Sequence, residues 1–362
     1  MSFRERVLSV FPIPNSLALL SAGVDISSGS IKCAQFSRSG SMLELSVHNE
    51  TPLPEGVVVD GDIENPQKVV DVLRSFRLRN GIKSAHACLP EKKAYLYQTL
   101  IPNGTKDIRE AIEAELESHV PLPPSETLFD FEIIRTVGTG TVVSVTAYAK
   151  RVVNEYAAAF EAAGVMLRSL EVESQALARA VVSQKKKDHA TMIIDFGRNT
   201  TRVAIADGGV VAFTATIDVG GATLTTAVMK HFGVSEEEAE KLKNEWGFLM
   251  NKENKEVVTA LMTTLSVVRD EVVKHFSYWN TVGDSDVPRK SITEVVLCGG
   301  NANLKGLPEY FGASISAPVS VADVWQNAFS LDMHIPALPF QESLEFATAI
   351  GLALRGAHTN IW

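Results

Sequence analysis

The chain lacks the features that mark several large classes of protein. Its 362 residues include three cysteines, Cys33, Cys88 and Cys298, which lie far apart in apolar surroundings. An odd number with no CxxC pair offers neither a disulfide framework nor a paired metal or redox motif, so buried thiols of a reducing compartment are expected. Positive charge is scarce: 34 Lys+Arg against 43 Asp+Glu give a formal charge of −9, which excludes a general affinity for nucleic-acid phosphates. No apolar run approaches the roughly 20 residues of a membrane-spanning helix. The opening MSFRERVLSVFPIP has no apolar stretch of about 7–15 residues before a small-residue cleavage site, so a secretory leader is not expected. The composition, 45% hydrophobic and 21% charged, instead fits a cytoplasmic globular protein of about two to three domains.

An internal match is the most informative feature present. Val24-Asp25-Ile26-Ser27-Ser28-Gly29-Ser30-Ile31-Lys32-Cys33-Ala34 aligns without a gap on Ile194-Asp195-Phe196-Gly197-Arg198-Asn199-Thr200-Thr201-Arg202-Val203-Ala204. The shared pattern is apolar, Asp, apolar, small, two variable, Ser/Thr, any, Lys/Arg, any, Ala. A β-like run, a turn (37–41; Asp207-Gly208-Gly209) and another β-like run (42–47; Val210–Ile217) follow each copy, so each reads as a three-strand meander. A duplicated unit implies two similar α/β domains facing one another across a cleft. Gly- and Ser-rich turns let backbone N–H groups converge on an anion. An Asp at the end of the first strand can hold a hydrated divalent cation beside phosphates. Either copy alone is also an ordinary hairpin whose Asp satisfies nearby backbone N–H groups; two copies point to a polyphosphate clamp. A third element follows. The apolar run 292–297 enters Cys298-Gly299-Gly300-Asn301, where two glycines allow a flat ligand close to the backbone.

In these elements the chain resembles the actin/Hsp70/hexokinase superfamily: the hairpins look like its two phosphate motifs and Gly299-Gly300 like its adenosine motif. More specifically it is similar to the PilM family of type IV pilus assembly, itself close to FtsA. The resemblance is carried by residues 23–32, 114–124 (AELESHVPLPP), 170–179 (LEVESQALAR), 193–202, 220–225 (GGATLT), 239–243 (AEKLK), 297–307 and 346–355 (FATAIGLALR), in family order along most of the chain.

The resemblance implies an actin-like fold that binds ATP and Mg²⁺. Asp25 and Asp195 would face the metal and phosphates, and Ser28, Gly29, Ser30 and Lys32, with Gly197, Asn199 and Thr200, would line the phosphate turns. Gly220 and Gly221, in the family's GGATLT segment, would also contact the nucleotide. Glu240 and Lys243 would approach the ribose or base, and Gly299, Gly300 and Asn301 the adenosine. Glu173 opens a hinge helix where related filament proteins place a water-orienting acid, although Ser174 replaces the Pro that usually follows. Ser27 stands where such motifs commonly have Gly. The implied division places subdomain 1A at 18–90 and 168–187, an inserted FtsA/PilM-type 1C subdomain at 91–167, subdomain 2A at 188–230 and 288–338, subdomain 2B at 231–287, and a return to 1A at 339–362.

Local patterns agree with this division. Asp107–Val120 reads as a helix with Ile108, Ile112 and Leu116 in register, stopped by Pro121, and Glu113, Glu115 and Glu117 read as its solvated side. A helix over 151–163 ends at Gly164. Ser235 with Glu238 reads as a helix start. Val257, Leu261, Leu265, Val268, Val272 and Phe276 form one apolar stripe of a long helix over 255–279. Lys185–Lys187 reads as a solvated loop. Phe3, Val7, Leu8, Val10 and Phe11, with Arg4 and Arg6, form an amphipathic stretch of about two turns; some actin relatives seat a terminal amphipathic helix on membranes, but so short a one makes association through a partner the leading expectation.

The functional expectation is a nucleotide-binding scaffold at the cytoplasmic face of the inner membrane, at most a weak ATPase. Its partner would be the short cytoplasmic N-terminal tail of a PilN-like inner-membrane protein, held in a groove between 1A and 1C, and membrane association would run mainly through that partner. The alternatives are a type II secretion scaffold resembling the GspL cytoplasmic domain, and a small-molecule kinase of the same superfamily.

Overall fold

The computed structural model describes residues 20–39, 42–183, 188–250, 254–281 and 287–358. The amphipathic turn at residues 3–11, Gly40–Ser41 and Lys185–Lys187 lie outside the described residues.

Both halves begin as the repeated motif dictates. In the first, Ala22–Ile26 (β1) is wholly buried and runs into Ser30–Ser39 (β2) and Met42–Pro52 (β3). A two-residue hairpin follows (β4, Val58–Val59; β5, Asp62–Ile63). Helix Pro66–Asn80 (α1) has Asn65 as its cap, accepting from the Lys68 N–H, and Gly81 closes it in the left-handed conformation. Ser84–Leu89 (β6) is buried throughout and lies parallel to β1.

The insertion comes next. Tyr95–Pro102 (β7), helix Ile108–His119 (α2), Thr127–Val137 (β8) and Gly140–Ala149 (β9) form a three-stranded sheet in the order β7-β9-β8 with α2 packed on one face. Asp107 caps α2, and Glu113, Glu115 and Glu117 are exposed on it. Helix Lys150–Ala163 (α3) ends at Gly164 with φ +72°. Its apolar side chains Val152, Tyr156, Phe160 and Ala163 join the first-domain core beside α1, so the sheet and α2 are what stand apart from that domain. Met166–Val172 (β10) completes the first sheet, in the order β10-β6-β1-β2-β3.

Helix Glu173–Val181 (α4) leads into the second half. Ala190–Phe196 (β11), Thr201–Asp207 (β12) and Val210–Ile217 (β13) repeat the meander. Helices Gly221–Phe232 (α5), Glu236–Trp246 (α6) and Lys255–Thr281 (α7) follow, and all six residues of the α7 stripe are buried. Ile292–Cys298 (β14), a short helix Leu307–Gly312 (α8) and Val319–Val321 (β15) give the sheet order β13-β12-β11-β14-β15. Taken from the other edge, the first sheet has the same topology: an antiparallel meander followed by two parallel strands. The repeat reaches individual positions. Asp25 pairs with Lys32 and Asp195 with Arg202; Cys298 is the parallel partner of Asp195, while the Cys88 thiol donates to Asp25 at 3.2 Å.

The closing helix Ala347–His358 (α9), entered through a 3-10 turn at Leu344–Phe346, packs on the first sheet and on α4. This contact is made backbone to backbone. A Cβ at Gly351 would overlap the Ala176 carbonyl, and one at Gly23 of β1 would overlap the Ala349 carbonyl. The insertion also touches the second domain: Ser144 donates to the Val211 carbonyl at 2.6 Å, Gln98 to the Ala212 carbonyl at 3.0 Å, and Arg135 pairs with the fully buried Asp207 at 2.6 Å. No described helix is long and apolar enough to cross a membrane.

His86 on β6 lies beneath α9, sharing a 2.7 Å hydrogen bond with the Ser169 hydroxyl. Burial, with the Arg355 charge adding to it, pushes its imidazole down from 6.5 to about 4. The folded state therefore resists a proton that the unfolded chain accepts, so this stability is complete above pH 6.5 and is lost as pH falls toward 4. Thermal unfolding of the wild type should weaken more steeply over that interval than that of His86→Gln; equal slopes would assign the acid sensitivity to other groups.

Candidate functional site

The two repeated turns are closed by the same backbone bond. Ser27 N–H donates to the Ser30 carbonyl and Gly197 N–H to the Thr200 carbonyl, each at 3.0 Å. In the first turn the Ser27 hydroxyl also donates to the Ser30 carbonyl at 2.9 Å and accepts from the Ser30 N–H at 3.2 Å. Serine at position 27 thus tightens the turn without a glycine. The tips meet across the cleft, where Asn199 Nδ2 donates to Ser28 Oγ at 3.2 Å.

Gly299 fills the position between the second turn and the third element. It has φ +84°, and a Cβ there would overlap the Asp195 carboxylate and the Phe196 carbonyl. Asn301, on the 3-10 turn that follows, donates to the Gly197 carbonyl at 2.9 Å and the Phe196 carbonyl at 3.3 Å. Its Oδ1 accepts from Lys243 at 3.3 Å. Lys243, 2% exposed, also donates to Glu240 at 2.8 Å and Thr225 at 3.1 Å. Burial would raise the Glu240 carboxyl, but bonds from Lys243 and Thr225 outweigh it and lower the pKa. Lys243 and Glu240 thus brace the cleft wall, with the three ammonium donors of Lys243 engaged within it.

Carboxylates dominate the base of the cleft. Arg202 bonds Asp195 Oδ2 through Nη2 at 2.5 Å and Nε at 3.0 Å, and reaches across the domain interface to Glu173 through Nη1. Burial and the Asp25 charge push the Asp195 carboxyl up to about 7, and the same carboxyl is clasped by the Arg202 guanidinium. Lys32, at the equivalent place in the first copy, turns to Ser30 and Glu50, both at 3.0 Å. Ser174 donates its N–H at 3.1 Å and its hydroxyl at 3.2 Å to the buried Glu91. A proline there would remove the N–H bond, and serine adds a second donor through its hydroxyl.

The residues fit a hydrated hard cation. One ligand atom from each of Asp25, Cys88 and Glu173 lies within 4.8 Å of the others. Asp25 and Glu173 supply the oxygen donors that a hard cation prefers over sulfur, and the Cys88 thiol, raised well above its ordinary value by burial and the Asp25 charge, donates to Asp25.

One cleft of 1210 Å³ gathers these elements. Asp25, Ser28, Gly29, Ser30, Lys32, Glu173, Asp195, Gly197, Asn199 and Thr200 line it, as do Gly221, Glu240, Lys243, Gly299, Gly300 and Asn301. Gly220 does not: it caps α5 behind the second turn, where a Cβ would press on the Arg198–Asn199 backbone. Arg198 is exposed, 3.6 Å from Glu236. Arg202 and Glu91 also line the cleft and were not singled out from sequence as site residues. Arg202 occupies the Lys/Arg position of the repeated pattern, which was its one available signal; Glu91 carries none.

Two duplicated α/β domains, closed on a cleft by paired acid-bearing turns, define an actin-like protein. Solved structures agree on the fold. A PilM–PilN type IV pilus biogenesis complex matches with TM-score 0.77 at 21% identity, over 94% of this chain and 99% of that one. The ethanolamine utilization protein EutJ of Carboxydothermus hydrogenoformans matches with TM-score 0.56 at 17% identity, over 95% and 91%. MreB5 of Spiroplasma citri bound to ADP matches with TM-score 0.54 at 15% identity, over 96% and 98%. The type IV pilus assembly protein PilM family matches residues 23–357, and the chain belongs to that family.

Asn301→Ala would leave the buried Lys243 one acceptor short and take the Asn301 amide from the Phe196 and Gly197 carbonyls, of which Gly197 keeps the Gly221 N–H at 3.0 Å. It should lower the stability of the second domain by about 1–3 kcal/mol, measured by denaturant unfolding.

Proposed function

We propose that this chain is an ATP-binding scaffold of type IV pilus assembly whose cleft conformation is set by nucleotide, with at most weak ATPase activity. The observation that carries the reading is the pair of turns closed by the same backbone bond and meeting across one cleft, with Asp25 and Asp195 lining it beside them. Among the similar structures, MreB5 was solved bound to ADP and to AMPPNP, which supports an adenine nucleotide as the ligand. Backbone N–H groups of the turns would hold the phosphates, Asp25 and Asp195 would face a hydrated Mg²⁺, and the Gly299–Asn301 segment would lie against the adenosine. Bound Mg²⁺ would supply charge neutralisation along the phosphates.

In this reading residues 91–167 act as the 1C subdomain, and the partner is the cytoplasmic N-terminal tail of a PilN-like inner-membrane protein, which places the scaffold at the cytoplasmic face of that membrane. The similar PilM structure is a complex with PilN. In this reading an extended tail would lie between β8 and β10. Each strand is the edge of its sheet, and Glu132 of β8 lies within electrostatic reach of Glu171, Arg179 and Arg355 on the first-domain side. Leu128 and Met166 expose apolar side chains on these two strands. Edge strands offer unpaired backbone groups to a peptide, and side-chain pockets select it.

Two measurements test the reading. ATP with Mg²⁺ at 100 times its Kd should raise apparent stability by about 2.7 kcal/mol, and Asp25→Asn should remove most of the shift; no shift in the wild type refutes nucleotide binding. An apolar tail peptide should bind at least about tenfold more weakly to Leu128→Asp than to the wild type, a loss of 1.4 kcal/mol or more. Undiminished binding would move the partner site elsewhere.

A further inference from the structure

We infer that Arg202 is a positioning residue of the cleft, an ion-pair latch that ties Glu173 of the first domain to Asp195 of the second and holds Glu173 back from acting as a base toward a bound polyphosphate. The inference rests on the nucleotide reading above. It begins from the divergence of the two repeats. Lys32 and Arg202 hold the same register position opposite their aspartates, yet Lys32 stays on its own sheet with Ser30 and Glu50, whereas Arg202 bonds Asp195 and crosses to Glu173. Only a planar guanidinium, with donors pointing in several fixed directions, makes both contacts at once; an ammonium has the charge without the fork.

The order of exposure matters. The Glu173 side chain is 8% exposed and that of Arg202 27%, so a ligand in the cleft meets the cation before the acid. Glu173 is also close to Asp25, and without the guanidinium two unscreened carboxylates would face an anionic ligand. Hydrolysis of a nucleoside triphosphate forms a bond from a water oxygen to the terminal phosphorus as the bridging oxygen departs with the diphosphate. A carboxylate accepts the proton that the water loses, and diphosphate and phosphate are the products. Glu173 is a carboxylate placed at the cleft base for that proton, and the guanidinium bonded to it occupies its oxygen and fixes its direction. The arrangement therefore favours holding nucleotide over consuming it.

The test uses the full chain as wild type, Arg202→Lys, Glu173→Gln and the double variant, with Arg202→Gln as a second choice if lysine is not tolerated. Affinity is measured by calorimetry with a non-hydrolysable ATP analogue and Mg²⁺, turnover by phosphate release, and the latch itself by amide exchange over residues 173–181 and 201–207 without nucleotide. Arg202→Lys should bind the analogue about as well as the wild type and release phosphate at least about tenfold faster. Glu173→Gln should cancel that gain in the lysine background and, alone, lower whatever phosphate release the wild type shows. A gain that survives Glu173→Gln, or an unchanged or slower release by an Arg202 variant that binds the analogue, overturns the inference. If the wild type binds no analogue, the nucleotide reading fails by itself. The exchange measurement then judges the latch: faster exchange in the Arg202 variant upholds it, and equal exchange overturns it.

Discussion

The cleft depends on how closely two helices approach where the domains join. α4 and α9 pass between the first sheet and the second-domain core with no side chain between them at Gly351 and Ala176, and β1 meets α9 the same way at Gly23. A methyl group at either glycine meets a carbonyl oxygen, and dense interiors absorb such volume poorly. Helix propensity would favour alanine over glycine within α9 by about 1 kcal/mol; the chain forgoes that gain because a methyl group at 351 would meet the Ala176 carbonyl. The packing of the strand that carries Asp25 therefore depends on glycines that line no part of the cleft.

Given that convergence, electrostatics becomes the next difficulty. Asp25, Glu173, Glu91 and Asp195 line one cleft, and buried carboxylates need partners or must take up protons. The structure answers differently for each. Glu91 caps α4 and is raised mainly by its burial, Asp195 and Glu173 share Arg202, and Asp25 has a neutral thiol beside it. A duplicated motif has thus become two unlike halves, one neutralised from within the chain and one able to take a cation. Salt bridges at the mouth, such as Lys92 with Asp60 and Asp218, are exposed and screened, and add little.

Much of this was legible in the sequence because a duplicated pattern is a long-range signal. Asp25 and Asp195 announced themselves by their common spacing, the meanders by alternation and turn residues, and α7 by one unbroken apolar stripe. Gly164, Ser235 and Asp107 marked helix ends through local chemistry that needs no partner. The remainder depends on contacts between distant segments. That Lys243 would spend its donors on Thr225, Glu240 and Asn301, or that α3 would join the first-domain core, is decided by packing that no spacing encodes. Arg202 is the instructive case. Its residue type was visible, but its role required knowing that Glu173, 29 positions away, starts a helix at the opposite side of the same crevice.

Asp207 carries one further implication. It is fully buried, receives Arg135 of the insertion and the Lys290 N–H on Oδ2, and its Oδ1 has no hydrogen-bond partner among the described residues. Pulling the insertion off the second domain would strand a carboxylate in a dry interior, a steeply unfavourable state. The small sheet is consequently riveted at the β12–β13 corner while its neighbour α3 is rooted in the other domain. A jaw motion could not leave such a bridge undistorted: it would twist β8 between two anchors, as a plank nailed to two hulls is racked when they drift apart.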